Sequence, residues 1–169
     1  RVSSVMGPRR LGCSELVVGP IALGTMMFGA WGNADEGECR RMVDVALDAG
    51  VTLVDCADMY DAGTAERILG DALRGRRDGV VLATKVGNPM DGDVQRSGLS
   101  RRWITQACED SLRRLQVDHI DLYQMHRPDP TVPIGETLTV LADLIAAGKI
   151  GAYGTSTFSA VSSASALVT

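Results

Sequence analysis

The sequence predicts an α/β protein: a parallel sheet whose strands alternate with covering helices. Two patterns point there. Short apolar runs recur roughly every 30 residues and alternate with stretches whose apolar residues repeat at helical spacing. The runs also lead into ionisable groups. Asp55 closes VTLVD with Tyr60 five residues on, Lys85 closes GVVLATK, and His126 follows HIDLYQM. Ligands bind at the carboxyl ends of parallel strands, and a buried charge there needs a partner or a use.

Taken in order, residues 10–18 (RLGCSELVV) read as a short hairpin turning at Gly12, Ser14 and Glu15. IALGT (21–25) is an apolar strand that runs into the loop MMFGAWGN. Asp35, with Glu38 three residues later, has the form of a capping box. Met42, Val43, Ala46, Leu47 and Ala49 share one face of the helix that follows, and Gly50 closes it. VTLVD (51–55) is the second strand. Thr64 is expected to cap a helix carrying Ile68, Leu69, Ala72 and Leu73, which ends at Gly75.

GVVLATK (79–85) is the third strand, followed by a loop with Gly87, Pro89, Gly92 and Gly98. Ser100 is placed to cap a longer helix bearing Ile104, Cys108, Leu112 and Leu115. HIDLYQM (119–125) is the fourth strand, and Pro128, Pro130 and Pro133 stiffen the turn after it. Ile134, Leu138, Leu141 and Ile145 repeat at helical spacing up to Gly148, and IGAYGTST (150–157) is the fifth strand. The stretch 159–169, SAVSSASALVT, holds no charged residue and reads as an atypical tail on one partial barrel domain, 1–169. The chain does not begin with Met, and Met6 reads as a natural start.

Composition excludes several classes. A chain of 169 residues, 45% hydrophobic and 22% charged, has room for one domain with a sizeable core. A net charge of −4 gives no drive toward nucleic acid or an anionic membrane. No apolar run approaches the roughly 20 residues of a membrane span, and the N-terminus lacks a secretory stretch. Cys13, Cys39, Cys56 and Cys108 form no C-x-x-C pair, which favours reduced thiols and the cytoplasm. His119 and His126 show no ligand spacing with them, so no metal is expected. Among 17 basic residues only Lys85 and Lys149 are lysines. Lys149 reads as a cation compensating a helix dipole, and Lys85 as a chosen ammonium at a strand end.

Asp55, Tyr60, Lys85 and His126 make chemical sense together. A phenol is a poor proton donor at neutral pH, and a neighbouring ammonium favours the phenolate. A carboxylate would hold that ammonium, and an imidazole would orient a carbonyl by donating a hydrogen bond. Such a set suits carbonyl reduction by a hydride donor. Taken singly, each has an ordinary alternative: a turn acid, a loop aromatic, a snorkelling lysine, a loop histidine. Their coincidence at successive strand ends argues against four separate accidents.

The stretches RRLGCSELVVGPIALGTMMFG, LVDCADMYDAGTAERILGDAL, VVLATKVG, SLRRLQVDHIDLYQMHRPD and AAGKIGAYGTSTF resemble, in order and spacing, the N-terminal part of the aldo-keto reductase family. The forms GTMMFG and GTSTF are similar to bacterial members allied to potassium-channel β subunits. The resemblance implies a (β/α)8 TIM barrel, here incomplete with about five parallel strands, and NADPH-dependent reduction of aldehydes or ketones. It implies Tyr60 as general acid, Lys85 and Asp55 as its tuning groups, and His126 as the group that orients the carbonyl. It also implies that Gly24, Thr25, Met26, Asp55, Ser156 and Thr157 lie against the nicotinamide end of NADPH, Thr157 standing where the family commonly has Asn. Trp31, Met59 and Arg127, with Asp58, are implied at the substrate pocket.

The family's later strands, whose loops grip the cofactor phosphates, have no counterpart here, and no phosphate-binding glycine motif replaces them. Weak or no NADPH binding by 1–169 alone is the resulting expectation. The open side is expected to be covered by the remainder of a longer chain or by a second copy. A noncatalytic remnant or binding module is the alternative reading. An isomerase or lyase on a similar barrel gives no role to the Tyr–Lys pair.

Overall fold

The structure is a computed structural model and describes residues 7–159. The reading of Met6, and all of the atypical tail beyond Ser159, lie outside the described residues. The hairpin comprises β1 (Arg9–Arg10) and β2 (Val17–Val18), paired antiparallel, and the Leu11 amide donates to the Leu16 carbonyl at 2.9 Å. The main sheet holds β3 (Ala22–Gly24), β4 (Leu53–Asp55), β5 (Val81–Val86), β6 (Ile120–Met125) and β7 (Ile150–Thr155). All its pairings are parallel, and the spatial order β3-β4-β5-β6-β7 is also the order in the chain. A doubly wound sheet reverses direction partway; this one never does, so it is the wall of an incomplete (β/α)8 barrel.

Four helices cover the outer face: α1 (Glu36–Asp48), α2 (Thr64–Ala72), α3 (Arg101–Leu115) and α4 (Ile134–Ala146). Asp35 caps α1 by accepting from the Glu38 amide at 2.9 Å, but only half of the capping box forms. The Glu38 carboxylate takes the Asn33 side chain instead. Ser100 caps α3 through the Trp103 amide at 3.3 Å. Thr64 is no cap: Gly63, left-handed at φ 90°, precedes α2, and Thr64 is its first helical residue. The reason is local, since Asp61, Ala62 and Gly63 are all left-handed and swing the chain into the helix before Thr64 is reached. Lys149, just past the end of α4, also ion-pairs with Glu109 on α3.

The core lies between sheet and helices. Cys39 and Val43, Ile68 and Leu69, Ile104 and Leu112, and Leu141 and Leu144 pack onto Val54, Leu82, Val86, Ile120, Tyr123 and Ile150. Two expected helix faces are rotated. In α1, Cys39 and Val43 are buried while Met42 and Ala49 face solvent. In α4 the buried stripe is Thr137, Val140, Leu141 and Leu144, and Ile145 is exposed. Glu66 is wholly enclosed: it accepts from Thr84 Oγ1 and from Arg114 Nε, both at 2.6 Å, joining α2, β5 and α3. Near the opposite end of the sheet, Asp121 on β6 accepts the Leu82 amide of β5 at 2.7 Å and pairs with Arg77. Between the hairpin turn and the inner face of β6 and β7 is an apolar hollow of about 950 Å³, bordered by Leu11, Leu16, Leu122, Ala152 and Tyr153.

Candidate active site

The strand register assembles the site. Gly24 pairs with Asp55 across β3 and β4, and Lys85 pairs with Gln124 across β5 and β6. Both pairs lie at the carboxyl ends of their strands. Lys85 is buried, and its ammonium has three neighbours: the Asp55 carboxylate at 2.5 Å, the Cys56 carbonyl at 2.7 Å and the Tyr60 hydroxyl at 3.3 Å. It also lies 5.1 Å from the centre of the Tyr60 ring, within cation–π range. A buried ammonium so surrounded is fixed in position, and the Tyr60 oxygen is fixed with it.

Tyr60 is buried as well and stands edge-on to His126, with ring centroids 6.0 Å apart and planes at 83°. Trp31 meets it from another side, 6.3 Å away at 62°. The phenol thus lies among an ammonium, an imidazole and an indole. Burial, and then the charge of Lys85, lower the His126 pKa to about 4, so its ring is neutral near pH 7. Its Nδ1 is enclosed without a hydrogen-bond partner.

Asp55, Tyr60, Lys85 and His126 therefore converge. Gln124, concealed within an apolar run, belongs with them: its side-chain amide donates to the other Asp55 oxygen at 3.0 Å. The signal was present, since Gln124 lies two residues before His126 and strand side chains alternate with that period. Thr25 is fully buried, and its hydroxyl donates to the Asp55 carbonyl at 3.1 Å. A Cβ added to Gly24 would meet nothing within 4 Å, so there is free space above that strand end. Met26 is exposed at the start of the next loop.

Ser156 follows β7, its amide held by the Met125 carbonyl at 2.8 Å, and its hydroxyl is 3.4 Å from that of Thr157. Trp31 is exposed on one side, Met59 is half-buried against the core, and Arg127 is exposed at the rim. Asp58 departs from the expected mouth position. It is fully buried, with both carboxylate oxygens unpartnered, and burial, then the charge of Glu66, push its pKa well above the usual range. All four cysteines are free, and burial, then Glu109, push the Cys108 thiol up to about 12. No helix of the described residues is long and apolar enough to cross a membrane, and no metal-holding cluster of His, Cys, Asp or Glu occurs among them.

Comparison with known proteins agrees with this geometry. The sequence model of the Aldo/keto reductase family matches residues 20–168. Aldo-keto reductase YhdN of Bacillus subtilis is 46% identical over 143 residues, which cover 82% of this chain and 43% of that protein. A probable voltage-gated potassium channel subunit beta of Arabidopsis thaliana is 38% identical over 149 residues, covering 83% and 44% respectively. Among solved structures, the holo form of aldo-keto reductase AKR11C1 from Bacillus halodurans superposes with a TM-score of 0.81 at 41% identity, covering 90% of this chain and 50% of that one. The chain spans about half the length of the relatives it matches. On sequence and on fold together, the chain belongs to the aldo/keto reductase family.

Proposed function

We propose that the protein reduces aldehydes or ketones to alcohols with NADPH, and that Tyr60 delivers the proton. The observation that carries this reading is the Lys85 ammonium set between the Asp55 carboxylate and the Tyr60 hydroxyl. A fixed cation 3.3 Å from the phenol oxygen stabilises the phenolate left once the proton has moved to the substrate. Asp55 holds that cation, and Gln124 holds Asp55. His126, being neutral, offers a ring N–H to the carbonyl oxygen without drawing a counter-ion into the pocket. A carbonyl between Tyr60 and His126 would accept from both, which polarises its carbon.

The nicotinamide end of the cofactor would lie against the strand ends, where Gly24 presents no side chain and the Ser156 and Thr157 hydroxyls would offer polar contacts to its amide. Thr25 and Met26 would border the same volume. When bound, NADPH supplies the hydride. Trp31, Met59 and Arg127 would line the substrate's approach. The buried, free thiols of Cys39, Cys56 and Cys108 support a reducing compartment, and we place the protein in the cytoplasm.

Tyr60→Phe tests the reading. It keeps the ring and its contacts with Trp31 and His126 but removes the proton donor. NADPH oxidation in the presence of an aldehyde should fall by at least about 100-fold in kcat, with the urea midpoint unchanged. Retention of wild-type kcat by Tyr60→Phe would refute the assignment.

A further inference from the structure

The loop of residues 25–33 carries Trp31 to Tyr60, and its own backbone orders it. The Phe28 amide donates to the Thr25 carbonyl at 3.0 Å, Gly29 to Asn33 at 2.9 Å and Asn33 to Met27 at 2.8 Å. Phe28 is buried and roots the base of the loop. The tip is rooted differently: the Ala30 amide donates to Asp61 Oδ2 at 2.9 Å. Asp61 is the residue after Tyr60, so this bond ties the two loops directly together.

The chain is shaped around that bond. Asp61 and Ala62 are left-handed at φ 47° and 53°, a conformation costly for side chains bearing a Cβ. Gly63 continues the run at φ 90°, and a Cβ there would lie 2.6 Å from Cδ of Arg114, which the buried Glu66 holds in place. On the facing loop, Gly29 is at φ 97°, and a Cβ on it would collide with the Asp61 carboxylate. The strained turn therefore aims a carboxylate at the Ala30 amide, which ties the loop tip to the Tyr60 segment, while Gly29 has no side chain where the carboxylate arrives. What the tip presents beside Tyr60 is apolar: Trp31 is 47% exposed and stands 6.3 Å from the Tyr60 ring.

We propose that Asp61 is a positioning residue that pins Trp31 beside Tyr60 as a fixed wall, and that the wall serves carbonyl substrates bearing a flat apolar group next to the carbonyl. Such a group loses water against the indole face, whereas a small hydrophilic carbonyl compound has nothing to place there. The substrate half of this inference rests on the reductase reading; the pinning half does not.

The two halves are tested separately. The chain has two tryptophans, Trp31 and Trp103, and Trp103 is 3% exposed in the core. With 5-fluorotryptophan incorporated, 19F NMR gives each its own resonance. Asp61→Ala should move the Trp31 resonance toward the solvent-exposed position and narrow it, leaving that of Trp103 in place. Asp61→Gly should do the same while relieving the left-handed strain, so it reads the lost acceptor even if Asp61→Ala fails to fold. Asp61→Asn tolerates the backbone and keeps an acceptor, and should restore the wild-type spectrum. In kinetics with NADPH, Asp61→Gly should raise KM for benzaldehyde about tenfold at unchanged kcat and leave KM for glyceraldehyde unaltered. A Trp31 resonance that ignores both Asp61→Ala and Asp61→Gly overturns the pinning; equal rises in KM for both substrates overturn the substrate class. Where 1–169 alone turns over neither aldehyde, the same KM comparison is made with the barrel completed by its remaining strands; no reduction there, with a Trp31 resonance that still responds to Asp61→Gly, means that the reductase reading fails and the pinning stands.

Discussion

His126 is held neutral in surroundings that would suit a charged group poorly. Its folded pKa of about 4 lies below the ordinary 6.5, chiefly through burial and then through Lys85, with Asp55 pulling the other way. The sign follows from proton counting. Above about 6.5 neither state binds the proton. Between about 6.5 and about 4 the unfolded chain takes up a proton that native His126 does not, so stability falls as pH drops through this window. Below about 4 both states are protonated and the loss is complete. Between pH 7 and pH 5 the urea midpoint of wild type should therefore fall more than that of His126→Gln; parallel declines would refute the burial account.

Asp55, Tyr60, Lys85 and His126 were legible in the sequence because each interrupts or follows an apolar run where burial of a polar group demands a reason. Gln124 was hidden inside such a run, visible only once the face shared with His126 is traced. Asp58 was misplaced because residues in the short segment after β4 carry no periodicity to tell which way a side chain turns. It is fully buried, within reach of the Glu66 charge, and not at the mouth.

At the scale of elements, α2 and α3 come closer than their sequences announce. Gly70 sits within α2, where glycine ordinarily costs about 1 kcal/mol relative to alanine. A Cβ at Gly70 would lie 2.5 Å from the Leu115 carbonyl oxygen and 2.8 Å from its Cα, both backbone atoms with no freedom to yield. Gly135 in α4 has nothing within 4 Å of its added Cβ. Gly70→Ala should therefore lose about 1–3 kcal/mol despite the gain in helix propensity. Gly135→Ala should gain up to about 1 kcal/mol. Thermal melts of the two variants decide the matter, and a stabilised Gly70→Ala would contradict the close approach. Helix existence was readable from periodicity; helix rotation was not. Ile145 satisfies the spacing of a buried face yet is exposed, because Thr137, Val140 and Leu144 turn inward. Likewise, the end of α3 at Gln116, left-handed at φ 57°, carries no glycine to mark it.

Over the whole molecule, the sequential strand order followed from the strand–helix alternation, while the hollow under β6 and β7 did not, since its walls are half hairpin turn and half strand. Its border of Leu11, Leu16, Leu122, Ala152 and Tyr153 should take up anilinonaphthalene sulfonate in the native 169-residue chain. Gly154 also lines it, and a Cβ there meets only side chains, none nearer than 3.6 Å. Gly154→Leu should fill the space and reduce the dye's fluorescence; an unchanged signal would place the dye elsewhere. The bond from the Leu82 amide to the Asp121 carboxylate has a longer reach than its position suggests. It acts as an index mark between β5 and β6. Slippage by one residue would turn the far end of one strand inside out, and slippage by two would part Lys85 from Gln124 by about 7 Å. Asp121 lies three residues, about 10 Å, before Gln124, yet it sets the phase in which the Lys85 ammonium of β5 meets Gln124 of β6.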